Sequence, residues 1–215
     1  DLSSAYYVEI DNLSSQLSED AQLLYKVLLY TDKHSLLQSM GQYDAAIEYA
    51  IAQISINEQL TGREDNLISI YLDVAYDYAA LKQEENALLY LRKATDKMSS
   101  VHVEKELLAS RYSNIALTYN MLGKGKDALI YYDKAEELGY SKAALSALRG
   151  GTFFSMGKKK ESREEYEKYS EIIRLAYGES SLQYAMSLQY LASINAFCRD
   201  MEDASRFYID AAEVT

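Results

Sequence analysis

Residues Tyr112 to Gly139, YSNIALTYNMLGKGKDALIYYDKAEELG, decide how the rest of the chain reads. Tyr112, Ile115, Ala116 and Tyr119 are spaced so that they share one stripe of a helix with about 3.6 residues per turn. Gly123 and Gly125 bracket Lys124 where that helix must end and the chain reverse, and a second stripe follows with Ala128, Tyr132 and Ala135. Two antiparallel helices are therefore expected. Ala116 and Ala128 fall at their crossing, where a methyl group lets the backbones approach while tyrosines fill the flanks.

The same offsets recur along the chain. Before this stretch they pick out Tyr71, Val74, Ala75, Tyr78, Ala87, Leu91 and Ala94; after it come Arg149, Gly150, Phe153, Gly157, Ser162, Tyr166 and Tyr169. A last copy has Leu188, Leu191, Ala192, Ala204, Tyr208 and Ala211, with Asn195 where an aromatic is usual. A first copy keeps Leu37, Gly41, Ala46 and Ala50 but places Lys33 and His34 at its large and small first-helix positions. Unit starts at residues 27, 68, 109, 143 and 185 give intervals of 41, 41, 34 and 42. This pattern resembles the tetratricopeptide repeat, a helix-turn-helix unit with large and small apolar positions and a glycine near its turn. The longer intervals, with Tyr177-Gly178-Glu179-Ser180 leading into the last unit, resemble the extended units of kinesin-light-chain-type repeats.

Every apolar stripe has the helical period and no run alternates at period two, so an all-α chain with more than about 70% helix is expected. The resemblance adds the architecture, a right-handed superhelical solenoid of about five antiparallel helix pairs. Residues 1–215 then read as one solenoid, with residues 1–26 supplying an N-terminal packing helix and the start of the first long helix. Helices are expected near 19–39, 43–58, 64–81, 84–98, 103–121, 125–137, 141–155, 159–174, 180–197 and 201–213, the first opened by Ser18-Glu19-Asp20 as an N-cap region. The chain begins with Asp1 and stops at Thr215 at the close of a second helix, which reads as a fragment of a longer protein. The face left without a capping element is a candidate for self-association.

Composition narrows the function. Twenty-two Lys and Arg against 33 Asp and Glu give a net charge of -11, which repels phosphate backbones and anionic membrane surfaces, so nucleic acid is not an expected partner. The one basic run, Lys158 to Lys160, is read as a solvated turn after Gly157. No apolar run approaches the roughly 18 residues that span a membrane, so no membrane insertion is expected. Cys198 cannot form an internal disulfide and reads as an inert thiol near the last turn. The 21 tyrosines, against four Phe and no Trp, read mainly as core packing with hydroxyls reaching water.

No reactive constellation emerges. His34 and His102 are too far apart for a metal-ligand motif, and the cluster His102, Glu104, Glu106 reads as a solvated helix start. Adjacent acids such as Glu136-Glu137 point about 100° apart on a helix and cannot share a proton. No catalytic residue, metal site or cofactor is expected.

What the resemblance implies is a concave groove lined by the first helices of successive units, holding a peptide or helix. Mapped onto this sequence, the candidate lining is Asp73 and Tyr76, then Ser113, Asn114, Leu117 and Asn120, then Phe154, then Gln189 and Phe197, with Leu72 and Ala79 among their neighbours. Asn114 matches an asparagine common in kinesin-light-chain-type first helices, with Asp73 at the equivalent place one unit earlier. Because only Asn114 and Asn120 resemble any part of a carboxylate clamp, a binder of chaperone tails is disfavoured. The resulting expectation is a non-enzymatic protein- or peptide-binding scaffold of a larger bacterial regulatory or assembly protein. Two alternatives stand beside it: a sensory input module of a peptide receptor, sensor kinase or transcription regulator, and an enzyme with an unusual helical site. The sequence leaves the compartment open, with the cytoplasm favoured and the periplasm an alternative if a signal or anchor was removed.

Overall fold

The structure is a computed structural model that describes residues 18–60, 62–197 and 200–214. The expected packing helix at residues 2–17 and Cys198 lie outside the described residues. Helices make up 84% of what is described, and no strand occurs among the described residues. In chain order they are α1 (Glu19–Ser39), α2 (Tyr43–Asn57), α3 (Glu64–Ala80), α4 (Glu84–Ser100), α5 (Lys105–Met121), α6 (Gly125–Glu137), α7 (Lys142–Ser155), α8 (Lys159–Tyr177), α9 (Leu182–Phe197) and α10 (Met201–Val214). Ser18 caps α1 by accepting from the Ala21 N–H, as the sequence suggests. The basic run is not a turn: Lys158 is the N-cap residue of α8, and Lys159 and Lys160 form its first turn.

The helices form two compact units that divide between Val103 and Glu104. In the first, α1 packs on α2 and α3 on α4, with α2 and α3 joining the two hairpins. In the second, the hairpins are α5–α6, α7–α8 and α9–α10, linked through α6 with α7, α5 with α7, and α8 with α9.

One local device repeats at each first-helix end. The amide three residues past the helix donates five residues back, from Gln42 to Leu37 O, Gln83 to Tyr78 O, Lys124 to Tyr119 O and Lys158 to Phe153 O, each at 2.9 Å. This closure satisfies carbonyls that the ending helix would leave bare, and it needs a left-handed residue just before the donating amide. Gly41, Gly123 and Gly157 take that conformation, but at 82 it is held by lysine, with φ of 59°.

Small residues sit at the hairpin crossings as expected. Ala75, Ala87, Ala116, Ala128 and Ala192 are fully buried, and Ser162 takes the same role on α8 while its hydroxyl donates to Gly150 O at 2.8 Å. At Gly150 a β-carbon would lie 2.8 Å from the Tyr166 ring, so α7 and α8 approach closely there. Around the crossings tyrosines gather in sets: Tyr71, tilted, and Tyr78, stacked, flank Tyr90 with ring centres 6.0 and 5.7 Å away, and Tyr112, tilted, and Tyr119, stacked, flank Tyr131 at 5.9 and 5.4 Å. Lys93 and Lys134 lie over Tyr90 and Tyr131 at 4.7 and 4.6 Å, so each aromatic set carries a cation at its edge.

Candidate functional site

The expected lining residues fall into two groups, one in each unit. In the second unit, Phe154 near the end of α7 and Phe197 at the end of α9 bring their rings to 4.5 Å, tilted by 56°. Both remain at the surface, Phe154 with 37% and Phe197 with 55% of its area exposed. The Lys159 ammonium of α8 lies 5.0 Å over the Phe197 ring and donates to the Phe197 carbonyl at 3.5 Å. Beside Phe154, the Ser155 hydroxyl lies 2.9 Å from the Asn120 side-chain amide oxygen and 2.8 Å from Thr152 O, so the amide group of α5 meets the end of α7.

The other predicted positions of this unit separate. Asn114 and Gln189 are exposed and Leu117 half-buried, whereas Ser113 is buried and lines no surface. It stands four residues after Ala109 and three before Ala116, both buried, which puts it on the packed side of α5. Leu72 and Ala79 of α3 are buried for the same reason.

In the first unit the structure assembles a cluster that the periodicity did not reveal. Asp77 is fully buried on α3 and its two carboxylate oxygens are bonded from α1, one by His34 Nε2 at 2.8 Å and the other by Gln38 Nε2 at 2.8 Å. His34 is itself buried, with 5% of its area exposed. Burial alone would pull the imidazole pKa down, but the hydrogen bond to Asp77 and the charges of Asp77 and Asp73 override it and hold His34 above its usual range. Asp73, one turn before Asp77, opens to solvent within a recess whose surrounding protein displaces water. That desolvation, opposed by His34 and reinforced by Asp77, lifts its pKa to about 6. Tyr76 stands beside it, edge-on to Tyr43 of α2 with centres 6.4 Å apart, and its phenol is pushed up by burial and then by Tyr43 and Asp77.

A sequence signal for this cluster did exist. His34 occupies the position that Ala75 and Ala116 hold in the following units, and a large polar group at a tight crossing requires a partner. What periodicity could not supply was the partner's identity 43 residues away.

Among the described residues no group of three or more His, Cys, Asp or Glu side chains is arranged to hold a metal ion. Among them, too, no helix is long and apolar enough to cross a membrane. His102 is exposed at the start of α5.

Comparison with known proteins bears on the fold. No protein-family model and no curated protein sequence matches the chain. Solved structures do. BtubC (BKLC) from P. vanneervenii superposes with a TM-score of 0.72 at 16% identity, over 98% of this chain and 87% of that one. A Podosopora anserina protein whose nearly identical TPR-like repeats are of kinesin-light-chain type gives 0.70 at 15% identity, over 93% and 97%. The apo form of RapI gives 0.65 at 18% identity, over 97% of this chain and 58% of that one. The chain therefore has the all-α, tetratricopeptide-type solenoid fold anticipated from its repeats.

Proposed function

We propose that this chain is a non-enzymatic scaffold that binds a protein or peptide along the faces of its first helices, with Phe154 and Phe197 as the principal anchors. The observation that carries the reading is the exposed pair itself. Two aromatic rings in mutual contact, left at the surface, cost hydration until an apolar side chain covers them, and anchors of this kind supply most of the affinity in peptide recognition. Asn120 beside the rings, and Asn114 and Gln189 exposed on the same set of helices, would bond the peptide groups of the occupant. The net charge of -11 favours an occupant with basic residues around its apolar anchor. Fold likeness supports interaction in general; the choice of site rests on the side chains.

The test begins with peptides selected from a random library on the immobilised chain, their affinities measured by fluorescence anisotropy. Replacing Phe154 and Phe197 together by alanine should weaken the selected peptides by about tenfold or more, in the range of an anchor worth over 1.4 kcal/mol. The melting temperature should change little, because both rings are exposed. Equal affinity for the two proteins would place recognition elsewhere.

A further inference from the structure

The first unit contains an anchoring arrangement unlike anything in the second. α1 is 21 residues long, yet it buries only Val27 and His34, while Leu28 and Leu36 on the same helix stay largely exposed. By contrast α3, shorter by four residues, buries nine side chains. To the half-buried apolar contacts of α1, such as Tyr30 against Tyr49 of α2 with ring centres 5.6 Å apart, polar links are added from His34 and Gln38 to Asp77 of α3. One of these links is titratable. We propose that the His34–Asp77 pair is a proton-sensitive latch that holds α1 against α3, closed while the imidazole carries its second proton and weakened when that proton leaves.

The charged groups that act on the latch are both carboxylates. From α3 come Asp73, Asp77 and the Tyr76 phenol, and from α2 the Tyr43 phenol. Lys33, next to His34, does not neutralise them, for its ammonium lies over the Tyr49 ring of α2 at 5.2 Å. From α4, Tyr90 and Lys93 stand against Tyr71. Protonated His34 is thus the cation that balances Asp77 and Asp73. Once it is neutral, two recessed carboxylates face one another with only hydrogen-bond donors between them. The folded pKa of His34 is raised, so its contribution is fully present below the unfolded value of 6.5 and is lost as pH rises through the folded value. The latch therefore weakens toward alkaline pH.

Hydrogen exchange of the full chain, followed by mass spectrometry at pH 6 and pH 8.5 and divided by the intrinsic exchange rate at each pH, reads the opening of α1. Opening of residues 22–38 should increase, by up to about tenfold for each unit by which the folded pKa of His34 exceeds the unfolded one. α6 should not change. In a D73N background, which removes the Asp73 carboxyl that also titrates in this range, H34Q keeps a donor for Asp77 and has no titrating imidazole, so its α1 should open equally at both pH values. No change in the native protein, or a change that persists in this double variant, overturns the proposal. Should the double variant fail to fold by circular dichroism, the NMR titration of His34 in the native chain decides: a midpoint above 6.5 supports the latch and one at or below 6.5 sinks it.

Discussion

α3 and α5 lie 41 residues apart in sequence and share a packing frame, yet they present different chemistry. Tyr71, Ala75 and Tyr78 with their partner Tyr90 recur as Tyr112, Ala116 and Tyr119 with Tyr131, the rings packed at nearly the same distances. Between these positions, Asp73, Tyr76 and Asp77 give way to Asn114, Leu117 and Thr118. Thr118 is as buried as Asp77 but donates its hydroxyl back to Asn114 O of its own helix at 3.0 Å. A threonine can satisfy itself within a helix, whereas a carboxylate only accepts and must import donors. Asp77 imports them from His34 and Gln38. The frame sets where helices cross, and the residues beside it set what the surface does.

The sharpest way to break this comparison is to give α5 the acid of α3. Thr118→Asp would bury a carboxylate that neither histidine can serve, since His34 is held by Asp77 and His102 is exposed. A loss of about 3 to 5 kcal/mol is expected, the scale of a buried charge without its partner. Denaturant unfolding at pH 7 measures it. A loss near zero would mean that the site takes up the charge, and that burial at 118 is less complete than at 77.

Next in size is the frame itself. Ala75→Leu and Ala116→Leu should each cost about 1 to 3 kcal/mol by overpacking a crossing where the methyl group is already fully enclosed. Matching losses would show that the two crossings are equivalent. A loss at only one would show that the repeated tyrosine sets do not impose the same spacing.

Smaller still is the pair of turns. A β-carbon on Gly123 meets nothing within 4 Å, so Gly123→Ala isolates the cost of the left-handed backbone, about 1 kcal/mol. At the corresponding turn of the first unit Lys82 already bears that cost. Lys82→Gly should therefore stabilise, by roughly 0.5 kcal/mol, because glycine's extra freedom in the unfolded chain offsets part of the relief. Opposite shifts in melting temperature for the two variants confirm the reading, and shifts of the same sign refute it.

These cases also show what could be read before the structure. The buried alanines, the glycine turns and the helix boundaries, which agree to within three residues, follow from spacing alone because they depend on contacts close in sequence. The candidate lining was legible only in part. Counting four and seven residues from Ser113 along α5 reached half-buried Leu117 and Asn120, and the resemblance reached exposed Asn114, but Ser113 itself, like Leu72 and Ala79, lies on the packed side, since a shift of one residue moves a side chain about 100° around the helix. The contact between Phe154 and Phe197 and the bond from His34 to Asp77 join residues 43 apart in each case, and no local period encodes such a pairing.

The smallest effect sharpens the comparison by making α3 more like α5. Asp73→Asn places on α3 the residue that α5 has at 114. The Asp73 carboxyl has its pKa raised from 3.8 to about 6 by desolvation, with His34 opposing and Asp77 assisting. Its protonated form is thus favoured in the folded chain: the contribution is fully present below pH 3.8 and is lost as pH rises through about 6. Above that pH the ionised carboxylate is a burden, and asparagine removes it. Because Asp73 is exposed, solvent screening limits the gain to less than about 1 kcal/mol. Melting curves of the variant and the native protein should coincide near pH 3.8 and separate by pH 7.5, the variant being the more stable. The reverse order at pH 7.5 would mean that Asp73 stabilises protonated His34 by more than its own desolvation costs, and that the charge on α3 supports the fold.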